Sequence, residues 1–451
     1  MKRDIYQKLL DWKSNPRRKP LLLQGARQTG KTFILKAFGR NEYENIMYCN
    51  FEEDPGLDRF FTRDLDPERI IKELSIYYDV EIKPGADLMV FDEIQVSNRA
   101  LNALKYFDEK RKDIHIAAAG SLLGVKLSSP GSFPVGKVNF LHLFPMNFME
   151  FLDGIGESRY RQLLENVSDP IPLSEAFHLH LVDLLRQYYF VGGMPEPVNH
   201  FAETANGREV REIQHDIIKS YIMDFVKHAP SSDIPKLTLL WDSIPKHLAK
   251  ENKKFIFNAV KKSARAREYE NALKWLEDAG LIYRTTATGS AKSPLSHYAN
   301  KACFKIYALD VGLLGAMSRS PVELLSLGDR IFNEYDGAFV ENFAAQQLTA
   351  HFGQPVYYWR SKGGKAEIDF LCEFSGRIYP LEVKAGINPR SKSLRSYDMQ
   401  FSPSVLARAT LLNFKRNGNI LNLPLYALSL LPNMVSLNST QTGTDTERLD
   451  R

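Results

Sequence analysis

Leu21-Leu22-Leu23-Gln24-Gly25-Ala26-Arg27-Gln28-Thr29-Gly30-Lys31-Thr32 decides how the rest of the chain is read. It begins as a buried apolar strand, passes through a glycine loop, and starts a helix near Gly30. Residues Gly25 to Thr32 satisfy G-x-x-x-x-G-K-[ST]. The spacing has a physical cause. Gly25 and Gly30 accept backbone angles that other residues resist, so successive N–H groups can curl around an anion. The helix N-terminus adds its partial positive charge. Lys31 is placed to reach the β and γ phosphates of a nucleoside triphosphate, and the Thr32 hydroxyl to hold Mg²⁺. Phe33-Ile34-Leu35 continues as helix and completes the strand–loop–helix context that the spacing requires. The candidate nucleotide-binding set is therefore Gly25 to Phe33, with Lys31 also acting on the reacting phosphates.

The second half of such a site lies at Asp87-Leu88-Met89-Val90-Phe91-Asp92-Glu93, an apolar run ending in two acids. A continuous apolar run suits a strand buried on both faces of a parallel sheet. Asp92 at its C-terminal end is placed to bind Mg²⁺, and Glu93 to polarise an attacking water. Standing alone, the same run reads equally well as a strand before an acidic helix cap. Joined to the phosphate loop, it reads as the metal-binding and water-activating pair.

With 451 residues, the chain is long enough for two or three domains with sizeable cores. Hydrophobic residues make up 44% and charged residues 25%, ordinary values for a globular protein. A net charge of +5 permits an acidic partner without arguing for one. The three cysteines, Cys49, Cys303 and Cys372, are far apart and odd in number, which suggests neither a disulfide framework nor a Cys-rich metal site. That fits a reducing cytoplasm. The N-terminus has no apolar core of signal-peptide length. No apolar run approaches the roughly 18 residues of a membrane span, so no membrane partner is expected.

Around the central stretch, strands and helices alternate. Residues 1–18 read as a short helix, Asn45 to Phe51 as a strand, 66–78 as a helix, Asn98 to Arg111 as a helix, and Asp113 to Ser121 as a buried strand ending in small residues. That order predicts a parallel sheet with helices on both faces. Ser121 either faces the γ-phosphate or caps a helix before Leu122-Leu123.

Gly25 to Thr32, Phe91-Asp92-Glu93-Ile94-Gln95 and Ala119-Gly120-Ser121 resemble the two Walker motifs and sensor 1 of AAA+ ATPases. Leu143-Phe144-Pro145-Met146-Asn147-Phe148-Met149-Glu150-Phe151 and Tyr189-Phe190-Val191-Gly192-Gly193-Met194-Pro195-Glu196 resemble a narrower prokaryotic group of AAA+ ATPases with an uncharacterised C-terminal region. The resemblance covers roughly residues 15–425. It implies ATP and Mg²⁺ as cofactors, ATP hydrolysis, and assembly into a homo-oligomer. One departure bears on hydrolysis. Where the group has Gly-Arg before the Pro-x-x-Phe segment, this chain has Gly136-Lys137. A lysine lacks the planar fork of an arginine finger and substitutes for it poorly. Neither Arg27 nor Lys126 is assigned a catalytic role.

Residues 1–155 are thus expected to form the ATP-binding domain and 156–230 a helical lid, with helices broken at Gly192-Gly193 and Pro195. Tyr188-Tyr189-Phe190 belongs either under the nucleotide or in a plain helix core. Residues 231–305 form a further unit, in which Leu273 to Tyr283 resembles the end of a recognition helix and the first wing of a winged helix. Lys246, Lys250, Lys253, Lys254, Lys261, Lys262, Arg265 and Arg267 face a single acid, Glu251, in this unit. Such a patch suits the phosphates of DNA or another nucleic acid, and equally a solvated helix face or a protein contact.

Residues 306–430 hold a second candidate site. Residues two apart on a strand share a face, so Glu382 and Lys384 point together while Leu381 and Val383 face a core. A neighbouring strand can bring Asp369 beside them, and Glu341 on the helix Ala338 to Ala344 can complete the cluster. Two carboxylates and a lysine suit metal-assisted phosphoryl chemistry. The arrangement resembles the PD-(D/E)XK nuclease fold, with Asp369, Glu382 and Lys384 at the matching positions. Three readings stay open for it: an active nuclease, a nuclease-like fold without turnover, and a salt-bridged hairpin. Residues 431–451 are rich in Ser, Thr, Asn and Asp and read as a disordered tail. The expected function is a Mg²⁺-dependent ATPase whose nucleotide state controls a nucleic-acid-binding or nuclease-like half. The alternative is a nucleotide-gated binding module that hydrolyses slowly or not at all.

Overall fold

The structure is a computed structural model that describes residues 2–121, 136–249, 254–257, 260, 265–325, 337–353, 356–386 and 391–436. The chain divides into two compact units. One is Met1–Pro145 with Lys274–Leu281; the other is Met146–Leu273 with Ile282–Arg451.

The first unit alternates strand and helix as the sequence predicts: α1 Ile5–Ser14, β1 Leu21–Gln24, α2 Lys31–Glu42, β2 Ile46–Asn50, α3 Pro67–Tyr78, β3 Leu88–Asp92, α4 Asn98–Lys110, β4 His115–Gly120 and β5 Asn139–His142. The sheet order is β2-β3-β4-β1-β5, and every pairing is parallel. Strand alternation divides the apolar residues between two cores. Leu21, Leu23, Leu88, Val90, Ala117 and Ala119 pack with Ile5, Leu9, Ile34, Leu35 and Phe38 of α1 and α2 on one face. Leu22, Met89, Phe91, Ile116 and Ala118 pack with Ile70, Leu74, Leu104 and Phe107 of α3 and α4 on the other. Central strands buried on both faces are therefore apolar at nearly every position, and their polar residues gather at the C-terminal strand ends.

The second unit opens with helices: α5 Phe148–Gly154, α6 Ser158–Glu165, α7 Glu175–Val191, α8 Pro195–Thr204, α9 Gly207–His228 and α10 Ile234–Leu248. The chain turns sharply after α7. Gly192 has a left-handed φ of 76°, and a Cβ on Gly193 would run into the Met146 backbone. Tyr188 and Tyr189 lie in the core of this unit, edge-on or tilted to Phe148, Phe151 and Phe343. The helix-core alternative for these rings is the one observed.

Helix α11 Ala266–Asp278 leads to an eight-stranded mixed sheet. Its strands are β6 Ile282–Thr288, β7 Ala299–Ala308, β8 Tyr357–Arg360, β9 Glu367–Phe374, β10 Arg377–Val383, β11 Leu406–Thr410, β12 Lys415–Asn417 and β13 Ile420–Pro424. The order is β12-β13-β11-β10-β9-β8-β6-β7. The hairpin β6–β7, which the sequence places in a winged-helix unit, thus belongs to one sheet with β8 to β13. Helices α12 Val311–Met317, α13 Ala338–Phe352 and α14 Lys392–Phe401 complete the architecture. Buried Asp310 ties α12 to the turn after α7: its carboxylate accepts from Gly193 N–H at 2.6 Å, Leu313 N–H at 3.0 Å and Gln346 Nε2 at 2.9 Å.

One correction concerns the tail. Residues Leu431–Ser436 form helix α15, with Leu431, Met434 and Val435 buried. Three apolar side chains at helical spacing outweigh the polar composition that follows them. Residues 437–451 lie outside the described residues. So do Lys126 and, of the basic patch, Lys250, Lys253, Lys261 and Lys262.

Candidate functional sites

The loop after β1 has the backbone its glycines permit. Gly25 has φ 151° and Gly30 φ 94°, and a Cβ on Gly25 would collide with the Leu143 carbonyl. Gln28 also sits at positive φ, 65°. Inside the loop the Thr29 hydroxyl donates to Ala26 O at 2.9 Å. The buried Lys31 ammonium donates to Gly25 O at 2.9 Å and Ala26 O at 2.7 Å. Phe33 is exposed on the first turn of α2. Strand β3 delivers Asp92 to the same place. The Thr32 hydroxyl donates to Asp92 Oδ2 at 2.6 Å. One cation can therefore reach both groups, and the oxygen donors are the hard type that Mg²⁺ takes.

Glu93 follows in a left-handed conformation, φ 50° and ψ 39°. Its Oε2 accepts from Gln95 Nε2 at 2.5 Å and receives long contacts of 3.4 Å from Ser121 N and Oγ at the end of β4. Ser121 thus meets the carboxylate beside the loop. Lys137 pairs with Glu109 at 3.1 Å and Asp108 at 3.6 Å, both on α4.

Two residues that the motif does not include hold this site in place. Arg3, nearly buried ahead of α1, donates to Thr29 O at 2.9 Å and to Phe144 O at 2.6 Å. Tyr48 on β2 donates to Asp92 Oδ2 at 2.8 Å, and Lys36 Nζ lies 3.7 Å from its ring centre. Burial, then the bond to Asp92, raises the Tyr48 phenol above its ordinary pKa, so it stays a donor.

The second unit brings charges together around β7, β9 and β10. Asp369 on β9 accepts the Val383 N–H of β10 at 2.9 Å. Burial, then Glu341, pushes Asp369 up to about 7, with Glu382 adding to the effect. Lys384 Nζ is 3.3 Å from Glu382 Oε1, and the Ser391 hydroxyl bonds to Glu382 Oε2. The sequence-derived set Glu341, Asp369, Glu382 and Lys384 is thus brought into one neighbourhood. The sequence reading missed the group at its centre. Lys305 on β7, 2% exposed, sits 2.6 Å from Glu367 Oε1 and 3.6 Å from Glu341 Oε2. Burial works against its charge, but Glu341, Tyr307, Asp369 and Glu367 together outweigh it and hold the ammonium well above its ordinary pKa. Among the described residues, no three His, Cys, Asp or Glu side chains are gathered to hold a metal ion.

With this geometry in hand, the comparisons with known proteins divide the chain into three stretches. Residues 17–152 match the AAA domain. Residues 182–323 match a domain of unknown function (DUF8612), and 336–428 match another (DUF4143). An uncharacterised protein of Mycobacterium tuberculosis is 40% identical over 97 residues, 20% of this chain and 20% of that protein. The match thus spans about a fifth of the length of the curated relatives. The Walker-type ATPase of Pyrococcus abyssi superposes with a TM-score of 0.43 at 12% identity, covering 69% of this chain and 94% of that one. The Thermotoga maritima RuvB Holliday junction branch migration motor gives 0.30 at 16% identity, covering 63% and 90%. The AAA domain supports ATP binding by the first unit. Among the described residues, no helix is long and apolar enough to cross a membrane.

Arg3 lies ahead of the stretch that matches the AAA domain and acts on the phosphate loop from outside it. Removing a charged donor from two backbone carbonyls costs about 1.5–3 kcal/mol where they stay buried. Arg3→Ala is expected to weaken ATP binding about tenfold, read by calorimetric titration. Arg3→Lys is expected to recover part of the loss. An unchanged dissociation constant in Arg3→Ala would show that the loop holds its shape without it.

Proposed function

We propose that the first unit is a Mg²⁺-dependent ATPase whose nucleotide state controls the second unit. The observation that carries this reading is the Thr32–Asp92 hydrogen bond, 2.6 Å long, with Glu93 as the next residue. It supports reading Thr32 and Asp92 as the cation-holding pair, with the Glu93 carboxylate, held by Gln95, as the proton acceptor beside them. The backbone N–H groups of 25–31 and the Lys31 ammonium bind and orient the triphosphate. Thr32 and Asp92 hold the cation, which when bound supplies charge neutralisation on the phosphates. Glu93 orients a water and takes its proton as the water oxygen bonds to the γ-phosphorus, while the bond from that phosphorus to the β,γ-bridging oxygen breaks and ADP leaves with the electron pair. Ser121, in contact with Glu93, fixes where that carboxylate points.

For the second unit, the reading is a nuclease-like domain that meets nucleic acid. Asp369, Glu382 and Lys384 are its candidate phosphodiester-cleaving groups and Glu341 an accessory one. The alternative, a binding module without turnover, is favoured by the ammonium of Lys305 among those carboxylates and by the ion pairs that hold Lys137 on α4.

The test separates binding from hydrolysis. Glu93→Gln keeps the shape and the hydrogen-bonding capacity of the side chain but not its basicity. ATP binding is expected to stay within about twofold of the parent, and turnover to fall on the order of a hundredfold, the range of a lost general base. Turnover unchanged in Glu93→Gln would move the base elsewhere. No turnover in the parent, with ATP bound, would select the slow-module alternative.

A further inference from the structure

An open cleft of about 440 Å³ lies in the second unit, where the start of β7 and the loop after β6 meet the loop after β8. Lys254, Asn300, Arg360, Ser361, Gly363 and Gly364 are among the residues that line it, and among the described residues no carboxylate does. Arg360 is the group to explain. Its guanidinium lies against the Gly364 backbone, where a Cβ would come within 2.8 Å of Nη2, and its Nη1 reaches Cys303 Sγ at 4.0 Å. Gly364 has φ 70° and Gly363 φ 91°, a turn that carries the chain around the arginine without covering it.

Its cross-strand neighbour on β9 is Glu367, the carboxylate placed to neutralise it. Glu367 instead gives Oε1 to Lys305 at 2.6 Å. Among the described residues, Arg360 has no ion-pair partner. The sheet thus spends its nearest acid on a buried lysine and leaves a half-buried arginine facing the cleft. Lys301, Lys362 and Lys365, each adjacent in sequence to a lining residue, are exposed.

We infer that this cleft binds a phosphate polyanion. A guanidinium held flat by a thiol and a glycine backbone offers a planar fork to phosphate oxygens. The volume exceeds what one carboxylate or one phosphate fills, and it lies within the range of ligand sites. Arg360, with no ion-pair partner among the described residues, and the exposed Lys301, Lys362 and Lys365 suit a chain of phosphates, whether in a nucleic-acid strand or in a free polyphosphate. The inference is independent of ATP hydrolysis at Lys31 and of phosphodiester cleavage at Asp369.

The experiment uses the full chain carrying Lys31→Ala, which takes the phosphate loop out of the measurement, with EDTA present so that nothing is cut. A short fluorescent oligothymidylate is titrated by anisotropy, and inorganic tripolyphosphate by calorimetry. Adding Arg360→Gln is expected to weaken binding about tenfold in at least one arm and to lower the salt slope of the strand arm by about one. Loss in the strand arm alone identifies a polynucleotide as the ligand; loss in the tripolyphosphate arm admits a free polyphosphate. Lys254→Gln, at the same cleft, is expected to give a several-fold loss, and it decides the matter if Arg360→Gln melts early. No binding in either arm, or binding that neither substitution weakens, overturns the inference.

Discussion

Lys31→Ala is expected to eliminate ATP turnover and to weaken ATP binding by on the order of 10²–10³-fold, because charge-assisted bonds to two phosphates are each worth about 1.5–3 kcal/mol. The structure adds a second consequence. The Lys31 ammonium bridges Gly25 O and Ala26 O inside the loop it serves. Removing it leaves two buried carbonyls without that donor, so the free protein is expected to melt several degrees lower as well. ATP with Mg²⁺ raises the melting temperature of the parent by mass action and is expected to leave that of Lys31→Ala unmoved. Calorimetric titration and thermal melts with and without nucleotide read both effects. Retained affinity in the variant would remove Lys31 from phosphate binding and the hydrolytic proposal with it.

Lys305→Met is expected to destabilise the second unit by about 3–5 kcal/mol at neutral pH, the cost of breaking a buried pair from one side. The loss depends on pH, and its sign follows from the acids left behind. Asp369, raised to about 7, already holds a proton in the folded state that the unfolded chain releases near pH 4. The folded state therefore binds more protons between those values, and this contribution to stability falls as pH rises through them. The Lys305 charge holds the Asp369 pKa down, so without it Asp369 titrates higher still. The variant is thus expected to approach the parent at pH 5 and to fall furthest behind it at pH 8. If divalent cations enter the cluster, Mn²⁺ is expected to rescue the variant at pH 8 more than the parent. Denaturant unfolding at the two pH values, with and without Mn²⁺, measures this. A deficit that does not change with pH would mean that Lys305 acts by filling space.

The first unit was legible because its signals are local. The Gly25–Thr32 spacing, the apolar run into Asp92 and the small residues before Ser121 each encode a strand end within a few positions, and a sheet buried on both faces leaves its polar groups nowhere else to stand. What stayed hidden depends on contacts distant in sequence. Arg3 reaches Phe144 across 141 positions, and Asp310 reaches Gly193 across 117. Tyr48 reads as one more residue of an apolar strand until β2 is set beside β3. The left-handed backbone of Glu93 has no sequence mark at all. In the second unit, strand alternation pairs Glu382 with Lys384, and a neighbouring strand adds Asp369 to the candidate set. Lys305 is not in that set, although a lysine inside the apolar run Ala302 to Leu309 is a signal in retrospect: such a charge is buried only against acids.

The hairpin Ile282–Ala308 is hydrogen-bonded into the same sheet as Tyr357–Pro424 through β6 and β8. Anyone dissecting this protein by truncation inherits that arrangement. A fragment starting at residue 306 would cut β7 in two, remove Lys305 and strip the partner from β8, baring a row of unsatisfied amides that invites aggregation. A fragment intended to isolate the carboxylate cluster has to begin ahead of Ile282, so the hairpin and the strands from Tyr357 onward travel as one piece of folded material.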